Sequence, residues 1–381
     1  MHYVTRLPHA RRNTYMQNNE GGAVQTIARF EIVYRQFLDK EGRVVAELAP
    51  LARDPKALLP LYRAMVLTRV FDTKAVALQR TGRLGTYPPC IGQEAIGAGV
   101  ASAMQPDDVL FPSYREQPAQ FWRGVKPLEI LLYWGGDERG SDFAGPRRDF
   151  PICVPVATQA PHAVGVALAM KLKGEPRAAV CMIGDGGTSK GDFYEAANLA
   201  GVMRLPVLFV VTNNQWAISV PRRAQSAAET LAQKAIAAGF PGEQVDGNDV
   251  IAVVDAVQRA LERARASGGA TLIEALTYRL GDHTTVDDAK RYREDSEVSQ
   301  HWESEPIARL RKYLTAAGVW SKEDEERLLV DCTAEITAAV DKYLAMARQP
   351  PAAIFDYLYA TLPAELAEQR RHAMEGTSSD G

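Results

Sequence analysis

The sequence predicts an α/β fold in which helices flank a doubly wound, mostly parallel β-sheet. Three short apolar runs, at 178–183, 206–211 and 271–276, are typical of strands covered on both faces. Segments with helical spacing of apolar residues separate these runs, and strands that alternate with helices favour a parallel sheet. A chain of 381 residues, 46% of them hydrophobic, is long enough to bury a large core.

The remaining elements follow from local patterns. A short hairpin is predicted at 30–45, and a long helix over 60–80 has its proline in the first turn and glycines after its last turn. A short strand is predicted at 109–111. Further helices are predicted over 93–104, 159–172, 192–203, 230–238 and 250–266, and from 306 onward. These patterns divide the chain into an irregular N-terminal arm (1–50), an α/β domain (51–300) and a helical C-terminal extension (301–381).

Composition excludes several classes of protein. The net charge of −3 provides no field for nucleic acid or an anionic membrane, and no apolar run approaches the length of a membrane helix. The four cysteines are far apart in sequence and predict buried free thiols, not disulfides or a zinc site: Cys90, Cys153, Cys181 and Cys332. A reducing, cytoplasmic location fits this pattern. The first 19 residues favour a disordered tail over a transit peptide.

Two polar clusters follow neighbouring strands of the predicted sheet. Gly184-Asp185-Gly186-Gly187 comes directly after one buried strand, and Asn213-Asn214 after the next. Because ligands bind at the carboxyl ends of parallel strands, these clusters predict one shared site. Carboxylate and amide oxygens suit Mg²⁺, and glycine N–H groups can donate to a phosphate. The pattern therefore predicts a metal–diphosphate site.

Two other phosphate-binding motifs are excluded at this position. Ser189 stands where a dinucleotide-binding fingerprint requires its third glycine, which argues against a nicotinamide dehydrogenase. The segment also lacks the Gly-Lys-Ser/Thr ending of a P-loop, because Lys190 follows Ser189.

The spacing of the two clusters resembles that of thiamine-diphosphate enzymes, and several further segments resemble the E1 α subunits of pyruvate and branched-chain 2-oxo acid dehydrogenases. The resemblance extends in order from about residue 30 to 370. The segments that carry it are 80–87 (RTGRLGTY), 92–94 (GQE), 113–116 (SYRE), 155–159 (PVATQ), 184–196 (GDGGTSKGDFYEA), 213–219 (NNQWAIS), 245–248 (VDGN) and 278–285 (YRLGDHTT).

The resemblance implies the thiamine-diphosphate-binding fold, in its diphosphate-binding half, and a set of site residues. Asp185, Asn214 and the backbone carbonyl of Trp216 would bind Mg²⁺. Tyr114 and Arg115 would hold the diphosphate, and a guanidinium suits that bidentate contact. Backbone contacts would come from Gly184, Gly186 and Gly187, and Val154 and Val156 would line the middle of the cofactor.

His283 matches the family's catalytic histidine on a mobile loop. It lies in a polar segment after a buried strand, which is a usual place for functional side chains. Its neighbour Asp282 predicts a raised histidine pKa.

The resemblance implies oxidative decarboxylation of a 2-oxo acid and transfer of the acyl group to the lipoyl group of an E2 acyltransferase. It also implies an α₂β₂ heterotetramer, because in this family the β subunit provides the glutamate that activates the cofactor. Pyruvate is favoured as substrate, with a branched-chain 2-oxo acid or acetoin as alternatives. A non-catalytic assembly subunit is a further alternative, against which the intact site residues argue.

Overall fold

The computed structural model describes residues 26–356 and 358–375. The chain divides into two units, one ending at Glu31 and one beginning at Ile32. The second unit contains every helix and strand described below. The predicted tails at 1–19 and 376–381 lie outside the described residues.

A six-stranded, all-parallel sheet forms the centre of the second unit. Its strands are β1 (Tyr34–Arg35), β2 (Val109–Phe111), β3 (Ala179–Gly184), β4 (Val207–Asn213), β7 (Gly242–Asp246) and β8 (Thr271–Leu276), and a small antiparallel hairpin joins β5 (Trp216–Ala217) to β6 (Val220–Pro221). The order across the sheet is β1-β7-β8-β4-β3-β2. The predicted α/β fold with a parallel sheet is therefore confirmed.

Alternate residues of each central strand pack into different cores. On β3, Val180 and Met182 belong to one apolar cluster, whereas Cys181 and Ile183 belong to another. Because successive side chains of a strand point to opposite faces, each face of the sheet has its own core. This double coverage explains why these strands read as continuous apolar runs.

Helices cover both faces of the sheet and extend beyond it. The α-helices are α1 (Leu59–Arg80), α2 (Glu94–Ala103), α3 (Gln117–Arg123), α4 (Pro127–Trp134), α5 (Gln159–Lys173), α6 (Gly191–Val202), α7 (Arg222–Gln225), α8 (Gln233–Ala237), α9 (Val250–Arg265), α10 (Asp295–Trp302), α11 (Pro306–Ala316), α12 (Lys322–Ala345), α13 (Ala353–Asp356) and α14 (Ala364–Glu375). Leu310 of α11 and Cys332 of α12 share one core cluster with Leu61 of α1. The predicted C-terminal extension is thus helical, and it packs on the same core as the α/β elements.

Some predicted elements differ in detail. The hairpin at 30–45 is reduced to one antiparallel bridge between Leu38 and Val44, while β1 pairs in parallel with β7. The helix predicted at 230–238 is only one short turn, α8. The elements that the sequence patterns did not predict are β5, β6, β7, α3, α4, α7 and α10. The domain limits at residues 50 and 300 remain a prediction.

All four cysteines are free, as predicted. Three are buried, but Cys153 is only partly buried, so the expectation of four buried thiols was wrong for that residue. No helix in the described part of the chain is long and apolar enough to cross a membrane.

Candidate functional site

The two polar clusters meet at the carboxyl edge of the sheet. β3 and β4 are adjacent and in parallel register, with Gly184 paired to Thr212. Asp185 begins the turn after β3, and Asn214 follows the last residue of β4. The predicted juxtaposition of these clusters is confirmed.

A cavity of about 650 Å³ opens at this edge. Its lining includes all eleven predicted site residues: Tyr114, Arg115, Val154, Val156, Gly184, Asp185, Gly186, Gly187, Asn214, Trp216 and His283. A larger cavity of about 1010 Å³ lies between α4 and α12, but no predicted site residue lines it. The roles assigned to the eleven residues remain predictions, although the fold brings them together.

Asp185 is buried without a partner for one of its carboxylate oxygens. Asp185 is only 2% exposed, and its Oδ2 has no hydrogen-bond partner. Burial raises the Asp185 pKa to about 6, against the lowering effect of backbone N–H groups. A buried carboxylate oxygen with no donor is stabilised by a cation, so this geometry suits a metal ligand.

The glycines after Asp185 allow other residues of the protein to pack closely against this turn. A Cβ on Gly186 would lie 2.7 Å from the Cβ of Ala217, and a Cβ on Gly187 would lie 2.6 Å from Cγ1 of Ile183. The same turn is tied from outside by Gln225, whose side-chain amide donates to the carbonyl of Gly186 at 3.0 Å. The backbone of this turn is therefore fixed, and Gly186 and Gly187 place no side chain where a phosphate would approach.

Asn214 is held by two hydrogen bonds of defined direction. The backbone N–H of Trp216 donates to Oδ1 of Asn214 at 3.2 Å, and Nδ2 of Asn214 donates to Oε1 of Gln93 at 3.0 Å. Gln215, between the two, has a φ of 72°, a left-handed conformation that turns the chain back. Asn214 and Trp216 thus share one tight turn beside Asp185.

Arg115 connects the cavity to the loop that carries His283. Its guanidinium donates to the carbonyl of Pro89 at 2.7 Å, to the carbonyl of His283 at 2.5 Å and to Nδ1 of His283 at 2.9 Å. The ring of Tyr114 lies edge-on to the imidazole, with a centroid distance of 6.3 Å. Arg115 therefore anchors the His283 loop, a role that the sequence did not predict.

The expected rise in the His283 pKa was wrong. Burial and the charges of Arg115 and Arg279 lower that pKa to about 4, and only Asp287 opposes them. Asp282 instead accepts a hydrogen bond from the N–H of Ala289 at 3.2 Å. Because a guanidinium can only donate, Nδ1 of the neutral imidazole is the acceptor and Nε2 carries the proton.

A hydrogen-bond network behind His283 was missed at the sequence level. Asp287 accepts from the N–H of His283 at 2.9 Å and from the hydroxyl of Tyr292. Arg279, which is 1% exposed, donates to that hydroxyl at 2.7 Å and to the carbonyl of Ile218 at 2.9 Å. The 278–285 segment contained Arg279, but only the fold shows its partners.

The donor set of the predicted metal ligands fits Mg²⁺. The predicted metal ligands comprise one carboxylate, one amide oxygen and one backbone carbonyl, and such hard oxygen donors suit Mg²⁺. No cluster of three or more His, Cys, Asp or Glu side chains that could hold a metal occurs in 26–356 or 358–375. This absence does not conflict with the predicted site, because that site contains a single carboxylate.

Comparison with known proteins gives one consistent family. Residues 62–352 match the family model described as "Dehydrogenase E1 component". The chain is 40% identical over 347 residues to a "Pyruvate dehydrogenase E1 component subunit alpha" of Staphylococcus epidermidis, covering 91% of this chain and 93% of the relative. It is also 40% identical over 346 residues to the protein of that description in Staphylococcus aureus, covering 90% and 93% of the two chains.

Proposed function

This chain belongs to the dehydrogenase E1 component family, and we propose that it is the α subunit of an E1 that oxidatively decarboxylates pyruvate. The acyl group passes to the lipoyl group of an E2 acyltransferase. The observation that carries this proposal is the convergence of the eleven predicted residues around one cavity at the carboxyl ends of β3 and β4.

Thiamine diphosphate and Mg²⁺ are the proposed cofactors. Asp185, Asn214 and the carbonyl of Trp216 would hold the metal, and Arg115 and Tyr114 the diphosphate. When bound, the cofactor supplies the electron sink that loss of CO₂ from a 2-oxo acid requires. The unpartnered Oδ2 of Asp185 supports the metal assignment, because a cation would satisfy it.

The residues of this chain mainly bind and orient. Arg115 keeps the His283 loop against the cavity through two contacts with His283, and a third contact, to the carbonyl of Pro89, fixes the guanidinium, so a single side chain serves both the diphosphate and the catalytic loop. His283 stays neutral at pH 7, because its pKa is about 4. Its proton on Nε2 is then available as a hydrogen-bond donor to a substrate oxygen in the cavity.

A β subunit is the proposed partner, in an α₂β₂ heterotetramer. Apolar side chains at the mouth of the cavity are exposed, namely Val154 (46%), Val156 (47%) and Ile218 (56%). Exposed apolar side chains grouped beside a ligand cavity are typical of a surface that another chain covers. The assembly is proposed to act in the cytoplasm.

The substrate is tested with the chain co-purified with its β subunit, thiamine diphosphate and Mg²⁺. Decarboxylation is followed with an artificial electron acceptor, and kcat/KM is compared for pyruvate and 3-methyl-2-oxobutanoate. A higher value for pyruvate supports the proposal, whereas preference for the branched acid assigns that substrate instead. Turnover of acetoin alone would reject a 2-oxo acid substrate.

A further inference from the structure

Gln93 is a buried polar residue of the cavity to which neither the motif nor the reaction assigns a role. It lies immediately before α2, is 4% exposed and lines the cavity with Asp185 and Asn214. Its Oε1 accepts from Nδ2 of Asn214 at 3.0 Å. Its Nε2 is buried and has no hydrogen-bond partner.

The orientation of both side-chain amides is fixed by a backbone donor. The N–H of Trp216 requires an acceptor, which must be Oδ1 of Asn214. The Nδ2 of Asn214 therefore points to Gln93 and requires Oε1 there. Consequently the group of Gln93 that remains without a partner is the Nε2 donor, and flipping either amide would oppose two donors.

A buried donor without an acceptor costs free energy unless a ligand provides the acceptor. We propose that Gln93 is a cofactor-binding residue, whose Nε2 donates to an oxygen of the metal-bound diphosphate while its Oε1 holds the Asn214 amide oriented for the metal. This inference rests on the proposed function, because it requires the diphosphate and the cation in this cavity.

Hydrogen bonds and close packing of the adjacent residues fix the backbone at Gln93. Gly92 has a φ of 91°, and a Cβ there would lie 2.7 Å from the carbonyl oxygen of Tyr278. The carbonyl of Gly92 accepts from the hydroxyl of Thr277 at 2.7 Å, and its N–H donates to Glu94 at 2.9 Å. Glu94 is in turn paired with Arg69 at 2.5 Å. The turn that presents Gln93 is thus fixed to the end of β8.

Two substitutions separate the two contacts of Gln93. Gln93→Met removes both, whereas Gln93→Glu at pH 8 keeps an acceptor for Asn214 but replaces the donor with a second oxygen. The matched control is Gln120→Met on α3, because Gln120 is 2% exposed and also has an unpartnered Nε2, but lies outside the cavity lining. All variants are prepared in the assembly with the β subunit.

The readouts are the Kd of thiamine diphosphate at saturating Mg²⁺ and the apparent Kd of Mg²⁺ at saturating thiamine diphosphate, both by calorimetry. Loss of a hydrogen bond to a charged group should weaken diphosphate binding by roughly 10-fold to 100-fold in both Gln93 variants. Gln93→Met should also weaken Mg²⁺ binding, and Gln93→Glu should weaken it less. Gln120→Met should bind both as the wild type does.

Wild-type affinity for thiamine diphosphate in either Gln93 variant would overturn the inference. Equal weakening in Gln120→Met would also overturn it, because the effect would then be one of general packing. If Gln93→Met fails to fold, as judged by the melting temperature of the cofactor-free assembly, Gln93→Glu decides the question. If the wild type itself binds no thiamine diphosphate, the proposed function fails instead.

Discussion

Asp185→Asn should stabilise the cofactor-free protein while abolishing its use of Mg²⁺. Burial raises the Asp185 pKa from 3.8 to about 6, and one carboxylate oxygen has no partner. A shift of this size corresponds to about 3 kcal/mol of destabilisation at neutral pH. Removing the charge should therefore raise the melting temperature by up to about 4 °C in a chain of this size.

The pH dependence gives the sign of this effect. Because the folded carboxyl binds its proton more tightly than the unfolded one, its contribution to stability is complete below pH 3.8 and is lost as the pH rises through about 6. The difference in melting temperature between Asp185→Asn and the wild type should therefore grow between about pH 4 and pH 6 and stay constant above. The assay is thermal unfolding with EDTA across that range.

A matched variant checks the reasoning. Asp249 is also a buried aspartate, but its carboxylate accepts from the N–H groups of Phe37 and Leu38 at 2.6 and 2.8 Å and caps α9. Burial raises the Asp249 pKa as well, but its other oxygen accepts from the N–H groups of Ile251 and Ala252. An asparagine keeps only one acceptor oxygen and would set its NH₂ against two backbone N–H donors, so Asp249→Asn should lower the melting temperature. Destabilisation by Asp185→Asn, or a difference that does not vary with pH, would refute the claim that the Asp185 charge is uncompensated without metal.

Three further variants test the surroundings of the site. Arg115→Met removes one of the two charges that lower the His283 pKa, so that pKa should rise above about 4, although burial and Arg279 still keep it below 6.5, and the acid limb of the pH profile of kcat/KM should move to higher pH. Gly186→Ala places a Cβ 2.7 Å from the Cβ of Ala217, and it should weaken thiamine-diphosphate binding by roughly 10-fold in a calorimetric titration. Tyr292→Phe removes the hydroxyl that joins Arg279 to Asp287 behind the loop that carries His283, and it should speed amide hydrogen exchange across 282–292 without changing exchange in the sheet.

For each of these variants, one result would show that the contact does not have the effect described. For the first, that result is an unchanged acid limb in a folded enzyme. For the glycine variant, it is wild-type affinity for the cofactor. For the tyrosine variant, it is equal exchange across the loop.

The central strands could be predicted because their environment is simple. β3, β4 and β8 are covered on both faces, so their sequences are almost entirely apolar. Strand β7 was not predicted because it contains polar residues whose partners lie far away in the sequence. Glu243 pairs with Arg259 at 3.0 Å, and Asp246 pairs with Arg309 at 2.6 Å. Such ion pairs leave no periodic pattern in the sequence.

In the site, too, some features could be predicted from the local sequence and others could not. Asp185 and Asn214 could be predicted because each directly follows a strand, and strand ends meet at one edge. The lowered pKa of His283 could not be predicted. Its neighbour in sequence, Asp282, accepts a hydrogen bond from another residue, and its neighbour in space, Arg115, is 168 positions away. The orientation of Gln93 depends likewise on Asn214, 121 positions away.

The central claim, that the cavity at the ends of β3 and β4 holds the cofactors for decarboxylation, is tested most directly by CO₂ release. Carboxyl-labelled pyruvate is given to the assembly with and without thiamine diphosphate and Mg²⁺, alongside Asp185→Ala and His283→Ala. We expect release only with both cofactors, and its loss in both variants although they fold. Release that persists in Asp185→Ala at wild-type cofactor affinity, or no release from the fully loaded wild type, would contradict the claim.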